Sequence, residues 1–527
     1  MFAYFQLPSC PRKVLWSLVL LLSVCFAARE GLAQGQDSLV TVAAGKHYLK
    51  NAFHRFWWGK HYRQVWAEPV QVPLFWISRY KGGMTPQKEG GSFQTKNLRL
   101  LDQAGREYVL RSIDKDPTGA LPRQLQRTFV ARLLQDQTSV IHPYGAFIVP
   151  TLAAAAGVYH TNPRLVYIAD DPDLGEFRAE FAHMLALLEE RPDGNWETLG
   201  SFGNPRHIVS SKTAFEHLVQ SPRYQAEARR YLTSRLFDMW LSDWSRREDQ
   251  WRWAQRERGE RVEFSPIPRD RDHAFFKFKD GVLTGLISVF KPNYQSFDQT
   301  ISPKNVKGLM RSSRQMDASL LAYLPKETFR EVARELQMNL SDEVIEEALQ
   351  QWPAQIRALT AREFATKLRN RRADLPRAAE AFYRQINRHL LLPGTDAEDL
   401  FRLTFQEDGR LLVQVWGTVN QEQRLFHQKT FTPADTKSIS FFGLGDEDRF
   451  ELAGSGRNRI KLQLYGGQDT DQLRFGAHFR IKGKKPLVLE EEDGNQYPAH
   501  KKVKQKKYTP AAREFDGAGW LLRHRLH

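Results

Sequence analysis

Two acid-bearing segments carry the side chains of this sequence that are best suited to chemistry. The first spans residues 243–250 and reads DWSRREDQ, and the second spans residues 268–273 and reads PRDRDH. Carboxylate oxygens are the ligands that magnesium prefers in proteins. If folding brings the two segments together, they could hold one or two hard cations.

A helix and a hairpin are expected to position these segments. An apolar stripe at the helical period precedes the first segment: Leu232, Leu236, Met239 and Trp240. Trp251 and Trp253 then alternate with Arg252, which predicts a half-buried strand. Each segment would therefore follow directly on a hydrophobic element, which limits where its side chains can lie.

The length and the charge of the chain limit the classes of protein to which it can belong. A chain of 527 residues is long enough for about three domains. Its hydrophobic content of 41% is typical of globular proteins. The formal net charge of +16 favours anionic partners, such as phosphates, nucleic acid or anionic lipid headgroups.

Residues 1–33 predict a secretory signal peptide. Arg12 and Lys13 precede an apolar run over residues 14–28, and Gly31-Leu32-Ala33 follows as a small-residue cleavage site. A retained membrane anchor is the alternative, and Cys25 leaves lipidation open. We expect an exported protein, so nucleic acid is the least expected partner.

Acidic turns near the carboxyl end offer a second candidate site. Asp446, Asp448, Asp469 and Asp471 lie in two glycine-aspartate segments similar to the nonapeptide that binds calcium in parallel β-helix repeats. With only two degenerate copies, tight turns of a small β domain are the favoured interpretation. A calcium site is the alternative.

The order of motifs agrees with that of kinase-like folds. There a catalytic-loop aspartate is followed five residues later by an amide that holds metal, and a second aspartate follows a hairpin. Counting five from Ser245 gives Gln250, and the second acid would be Asp270 or Asp272. The alternative is that these two aspartates pair with the neighbouring arginines on a surface strand.

The nucleotide contacts would come from upstream residues. The Gly90-Gly91 loop could lay backbone N–H groups over phosphates. Arg111, or with less support Lys115, would pair with the phosphates, and Glu189 lies where a kinase has its last amino-lobe strand and hinge.

The chain resembles the periplasmic part of a family of large bacterial outer-membrane proteins with a BamA-like barrel. The residues that carry this resemblance are LFDMWLSDWSRREDQW over 236–251 and PRDRDHAFF over 268–276. That region is in turn similar to atypical kinases of the HipA, CotH and secretory-pathway type. The resemblance implies an α+β fold with a two-lobed kinase-like domain and a helical extension, followed by a small all-β domain.

The resemblance also implies domain bounds and ligands. Magnesium held by Gln250, Asp270 and Asp272 would accompany ATP. The parts of the chain would be an amino-terminal helix and linker (34–72), an amino-terminal lobe (73–192), a carboxy-terminal lobe with the helical extension (193–395), a small β domain with Gly-Asp turns (396–482) and a basic tail (483–527). Within the first of these parts, residues 46–66 predict a docking helix with a snorkelling basic face, and an interfacial membrane helix is the alternative.

One departure from the family changes the expected function. Ser245 stands where the family has an aspartate, and a hydroxyl is not a useful base at neutral pH. Asp243 is a possible substitute, but a carboxylate displaced by two residues is poorly placed. We expect a pseudokinase that binds a nucleotide or a phosphorylated ligand. A periplasmic scaffold or assembly protein, and an active phosphotransferase, are the alternatives.

Overall fold

The computed structural model describes residues 38–90, 95–291, 293–490, 494–509 and 516–526. The predicted signal peptide and Gly91 lie outside these ranges. Across the described residues, no helix combines the length and the apolar character needed to cross a membrane. The fold mixes helices with four main β-sheets.

The first lobe, residues 39–190, is built on a seven-stranded sheet. Its elements are β1 (Leu39–Ala43), α1 (Ala52–Trp58), α2 (Arg63–Ala67), β2 (Pro69–Phe75), β3 (Thr85–Gly90), β4 (Asn97–Leu101), β5 (Glu107–Ser112), α3 (Phe129–Asp136), α4 (Val149–Ala155), β6 (Arg164–Ile168), α5 (Arg178–Phe181) and β7 (Leu185–Glu190). The strand order is β1-β2-β6-β7-β5-β4-β3. Because β1 pairs with β2, the described residues of the predicted amino-terminal helix and linker also contribute strands to this sheet.

The second lobe, residues 207–387, is mainly helical around a small sheet. Its elements are β8 (His207–Ser210), α6 (Ser211–Gln220), β9 (Tyr224–Ala226), α7 (Ala228–Trp240), β10 (Trp251–Arg258), β11 (Arg261–Pro268), α8 (Val282–Phe290), α9 (Pro303–Leu309), α10 (Arg314–Leu321), α11 (Lys326–Asn339), α12 (Asp342–Gln350) and α13 (Ala354–Asn387). The predicted helix and hairpin around the first acidic segment are confirmed as α7 and β10–β11.

The carboxy-terminal part is a stack of parallel strands together with three consecutive strands that pair antiparallel through two hairpins. Its elements are β12 (His389–Pro393), β13 (Asp399–Phe405), β14 (Leu411–Val419), β15 (Glu422–Phe431), β16 (Ser438–Leu444), β17 (Arg449–Asn458), β18 (Lys461–Gly467), β19 (Gln472–Phe475), β20 (Arg480–Gly483), β21 (Leu487–Glu490), β22 (Lys504–Lys507) and α14 (Gly517–His524). Strands β12, β16, β18, β21 and β22 pair in parallel in that order.

The Gly-Asp turns join successive layers of this stack. Oδ1 of Asp448 accepts from the backbone N–H of Asp399 at 2.9 Å, and Oδ1 of Asp471 accepts from that of Asp448 at 3.0 Å. A glycine precedes each of these aspartates by five positions. At Gly466, a Cβ would lie 1.8 Å from Oδ2 of Asp471, so no larger residue fits.

The predicted basic tail differs from what the structure contains. Strand β21 pairs with β18, and β22, which carries the lysine-rich segment, pairs with β21. Helix α14 packs against α6 and buries Trp520 and Leu521. The open edge of a parallel sheet offers unpaired backbone groups, so a polar segment can be recruited there despite its lack of apolar residues.

Candidate functional site

The first acidic segment begins where α7 ends, and a buried arginine holds that end. Arg371, on α13, donates from Nε to the carbonyl of Trp240 at 2.7 Å and from Nη2 to that of Met239 at 2.7 Å. Nη2 also donates to Oγ of Ser242 at 2.8 Å. A positive charge at a helix carboxyl end satisfies carbonyls that lack intrahelical partners. Arg371 therefore fixes the direction in which the segment leaves the helix.

Asp243 belongs to a buried network of charges and is withdrawn from solvent. Its Oδ2 lies 3.0 Å from Nη2 of Arg246 and 3.5 Å from Nη1 of Arg271, which also binds Asp238. Burial raises the pKa of Asp243 to about 6, against the lowering effect of the two arginines. This carboxylate is structural and is not placed to accept a proton from a substrate.

Arg246 joins the two acidic segments. Its Nη1 donates to the carbonyl of Arg269 at 3.0 Å, and its Nη2 donates to that of Asp270 at 2.7 Å. Asp270 has a φ of 58°, in the left-handed region that few residues other than glycine occupy. Such conformations cluster at functional sites, where the surroundings enforce them. The predicted meeting of the two segments is therefore observed.

The first lobe supplies cations and one acid to the same place. Arg111 on β5 lies 2.8 Å from Oδ1 of Asp270 and 3.1 Å from Oε1 of Glu189 on β7. Lys115 lies 2.5 Å from Oδ2 of Asp272. Burial alone would raise the pKa of Asp270, but the charges of Arg111 and Lys115 hold it well below its usual range.

The remaining predicted residues lie near these contacts. Ser245 is buried between Trp244 and Arg246, whose backbone groups both bond to the Ser312 hydroxyl. Gln250 is buried, and its Oε1 has no hydrogen-bond partner among the described residues. The backbone of Gln250 accepts from the N–H of Arg269 at 3.0 Å. A Cβ at Gly90 would lie 3.6 Å from Nε of Arg99.

An arginine cluster lies at this junction, and apart from Arg111 its members were not predicted as part of the site. Its members are Arg99, Arg111, Arg191, Arg252 and Arg269, all half-buried. Burial and the charges of Arg252 and Arg111 lower the pKa of Arg269 to about 10. Burial, with the charges of Arg191 and Arg99, lowers the pKa of Arg252.

Arg252 and Arg269, like Arg99 of the same cluster, lack an acidic partner among the described residues. In the described part of the chain, neither Arg252 nor Arg269 forms an ion pair, and the Nε atom of each is buried without a hydrogen-bond partner. Half-buried cations that repel one another are costly unless an anion compensates them. The only sequence signal was the alternation of Arg252 with the two tryptophans of β10.

Two of the residues predicted to hold magnesium are engaged in ion pairs. Oδ1 of Asp270 and Oδ2 of Asp272 are each bonded to a cation of the first lobe. Over the ranges that the structure describes, no group of three or more His, Cys, Asp or Glu residues could hold a metal ion. A divalent cation bound through these two oxygens would compete with Arg111 and Lys115.

The predicted calcium ligands are likewise engaged by the backbone. Asp448 and Asp471 are buried and accept from the N–H groups of the preceding layer. Asp446 and Asp469 are exposed, and the Asp446 N–H donates to Oδ2 of Asp469 at 3.3 Å. These acids stabilise stacked turns, which agrees with the favoured interpretation of the sequence.

Comparison with known proteins adds little to this geometry. No protein-family model matches the chain, and no curated protein matches it. Among solved structures, it is similar to the amicoumacin kinase hAmiN in complex with AMP-PNP, Ca2+ and Ami, at 12% identity over 54% of this chain and 87% of that chain. The TM-score is 0.13, which is too low to carry an argument.

Proposed function

We propose that this protein is a kinase-like module whose cleft binds a nucleotide or another phosphate-bearing ligand without transferring the phosphoryl group. The observation that carries the proposal is the pair Arg252 and Arg269, which are half-buried and without an ion pair in the described chain. Guanidinium groups bind phosphate oxygens in a bidentate manner. A phosphate group there would compensate the charge that the protein leaves uncompensated.

The element order supports a kinase-like arrangement of the cleft. The β3–β4 hairpin, whose first strand ends at Gly90, precedes β5 with Arg111. Helix α7, the first acidic segment and the β10–β11 hairpin precede Asp270. This is the order in which kinases place a phosphate-covering loop, a phosphate-binding cation and the acid after a hairpin. The export of the protein rests on residues 1–33 and stays a prediction.

Phosphoryl transfer is not part of the proposal. Ser245 offers no base, and the carboxylate of Asp243 is buried against Arg246. Because Asp270 and Asp272 are paired with cations, we also propose that the ligand binds without a divalent metal. The protein would then act by binding, as a sensor or a scaffold whose state depends on the ligand.

A thermal-shift experiment separates this proposal from a metal-dependent site. ATP should raise the melting temperature equally in magnesium and in EDTA. Asp270→Asn should retain the shift, since it releases Arg111 for the phosphates, whereas a metal-dependent site would lose it. Absence of any shift at millimolar ATP and at millimolar inorganic pyrophosphate would favour the alternative of a scaffold without such a ligand.

A further inference from the structure

Helices α1 and α8 pack against each other and form an exposed apolar face. The apolar face comprises Leu49, Phe53, Phe56, Val282, Leu286, Ile287, Val289 and Phe290. These are eight of the fifteen large hydrophobic residues that are exposed in the described part of the chain. Exposed apolar residues gathered in this way mark an interaction surface, whereas scattered ones do not.

Helix α8 has an unusual composition for a surface helix. It reads VLTGLISVF, and Thr284 is its one buried residue. Val289 is 73% exposed and Phe290 is 76% exposed. A helix that is apolar on all sides normally lies in a protein core or in lipid. In the described chain, α8 has only one side covered, chiefly by α1.

Close contacts fix the start of α8 against the end of α1. A Cβ at Gly281 would lie 2.2 Å from the backbone nitrogen of Gly59, so the chains touch there. The N–H of His61 donates to Oδ2 of Asp280 at 2.7 Å. Nε2 of His54 on α1 lies 2.8 Å from Oδ2 of Asp136 on α3. The apolar face is therefore a fixed part of the fold.

Basic residues lie on α1 or close to α1 and α8 in the chain. Residues 46–66 contain no aspartate or glutamate. The basic rim comprises Lys46, Lys50, Arg55, Lys60 and Lys291, and within the described residues none of them forms an ion pair. An apolar centre with a lysine and arginine rim complements the layered chemistry of an anionic bilayer surface. An acidic protein partner would instead need an apolar groove that accepts the two helices, with acidic residues around that groove opposite the basic rim.

We infer that the apolar face docks on the surface of an anionic lipid bilayer, with its phenylalanines at the boundary between headgroups and acyl chains. The basic rim then contacts the lipid phosphates. The attachment is interfacial, because α1 and α8 are far too short to span a bilayer. This inference is independent of the ligand proposed for the cleft, since no residue of the arginine cluster takes part.

Vesicle co-sedimentation of the full chain tests the inference. Wild-type protein should sediment with mixed phosphatidylcholine–phosphatidylglycerol vesicles and far less with phosphatidylcholine alone. Val289→Glu with Phe290→Glu should weaken binding at least about tenfold, because charges resist insertion at this depth. A triple variant should reduce vesicle binding mainly at low salt; it combines Lys50→Gln, Lys60→Gln and Lys291→Gln. Met338→Glu with Leu359→Glu, two exposed apolar residues elsewhere, is the matched control.

Each other occupant of the apolar face gives a distinct result. The Val289→Glu with Phe290→Glu variant still contains residues 1–33, the apolar segment at the start of the chain. Vesicle binding that persists in this variant would therefore come from outside the apolar face and would overturn the inference. A concentration-dependent dimer that dissociates in that variant, without vesicle binding, would assign the face to a second copy and also overturn it. Unchanged circular dichroism and unchanged ATP binding in the variant confirm that the fold and the cleft are intact.

Discussion

Nη1 of Arg111 donates a hydrogen bond to Oδ1 of Asp270 at 2.8 Å, between residues 159 positions apart in the chain. The arginine belongs to the sheet of the first lobe, and the aspartate follows the hairpin of the second lobe. This contact joins the two lobes at the place where the arginine cluster gathers. It also neutralises the acid that would otherwise be the strongest candidate for a metal ligand.

The Arg111–Asp270 pair should contribute measurably to stability. We expect a coupling of about 1–2 kcal/mol between Arg111→Gln and Asp270→Asn in a double-mutant cycle, because the pair is largely desolvated. Urea unfolding of the two single variants and the double variant measures it. The exposed pair Arg206–Glu197 is the control and should show much weaker coupling, because solvent screens it. Additive effects at Arg111 and Asp270 would contradict the assignment.

Arg371 should be irreplaceable by lysine. The Arg371→Lys variant keeps the positive charge but cannot reach the carbonyls of Met239 and Trp240 together. We expect the free energy of unfolding to fall by about 2–4 kcal/mol, since buried acceptors lose their donors. Arg377→Lys, on the exposed side of the same helix, should change it by less than about 0.5 kcal/mol. Equal effects of the two substitutions would show that Arg371 does not hold the segment.

The stability of the carboxy-terminal stack should depend on the ionisation of Asp399. Burial raises the pKa of Asp399 to about 7, although the Thr395 N–H and hydroxyl partly offset the rise. The folded state then binds its proton more tightly than the unfolded state, so the stability from this group is present at low pH and is lost as the pH rises through 7.

Asp399→Asn removes that dependence. As the pH rises from 5 to 8, the free energy of unfolding of the variant should increase relative to that of the wild type, by at most about 1.4 kcal/mol per pH unit. Its amide oxygen can still accept from Thr395, so the fold should be kept. Urea unfolding at both pH values measures the difference. If the variant and the wild type differ in free energy of unfolding by the same amount at pH 5 and at pH 8, Asp399 is already ionised at pH 5.

Local patterns in the sequence predicted the elements next to the site but not the cluster that lines it. The helical stripe that includes Leu236 and Trp240 identified α7, which begins at Ala228. Pro376 lies inside α13, although proline normally interrupts a helix, because packing of the helix outweighs the local cost.

The missed features depend on contacts between distant residues. Arg99 and Arg252 come together only through the meeting of the lobes, and each by itself is an ordinary strand arginine. The parallel stack was missed because its first Gly-Asp turn, Gly394 to Asp399, is degenerate in sequence. Helix α8 lacks a polar face, so its sequence does not show the alternation of apolar and polar residues that identifies a helix.

Binding of ATP to variants of the arginine cluster tests the central claim most directly. Isothermal titration in EDTA should show ATP binding to the wild type and to Arg377→Gln with equal affinity. Arg252→Gln with Arg269→Gln should weaken binding by at least about tenfold, the loss of roughly one charge-assisted contact to phosphate. Equal affinity of the cluster variant and the wild type, or binding that appears only with magnesium, would contradict the account.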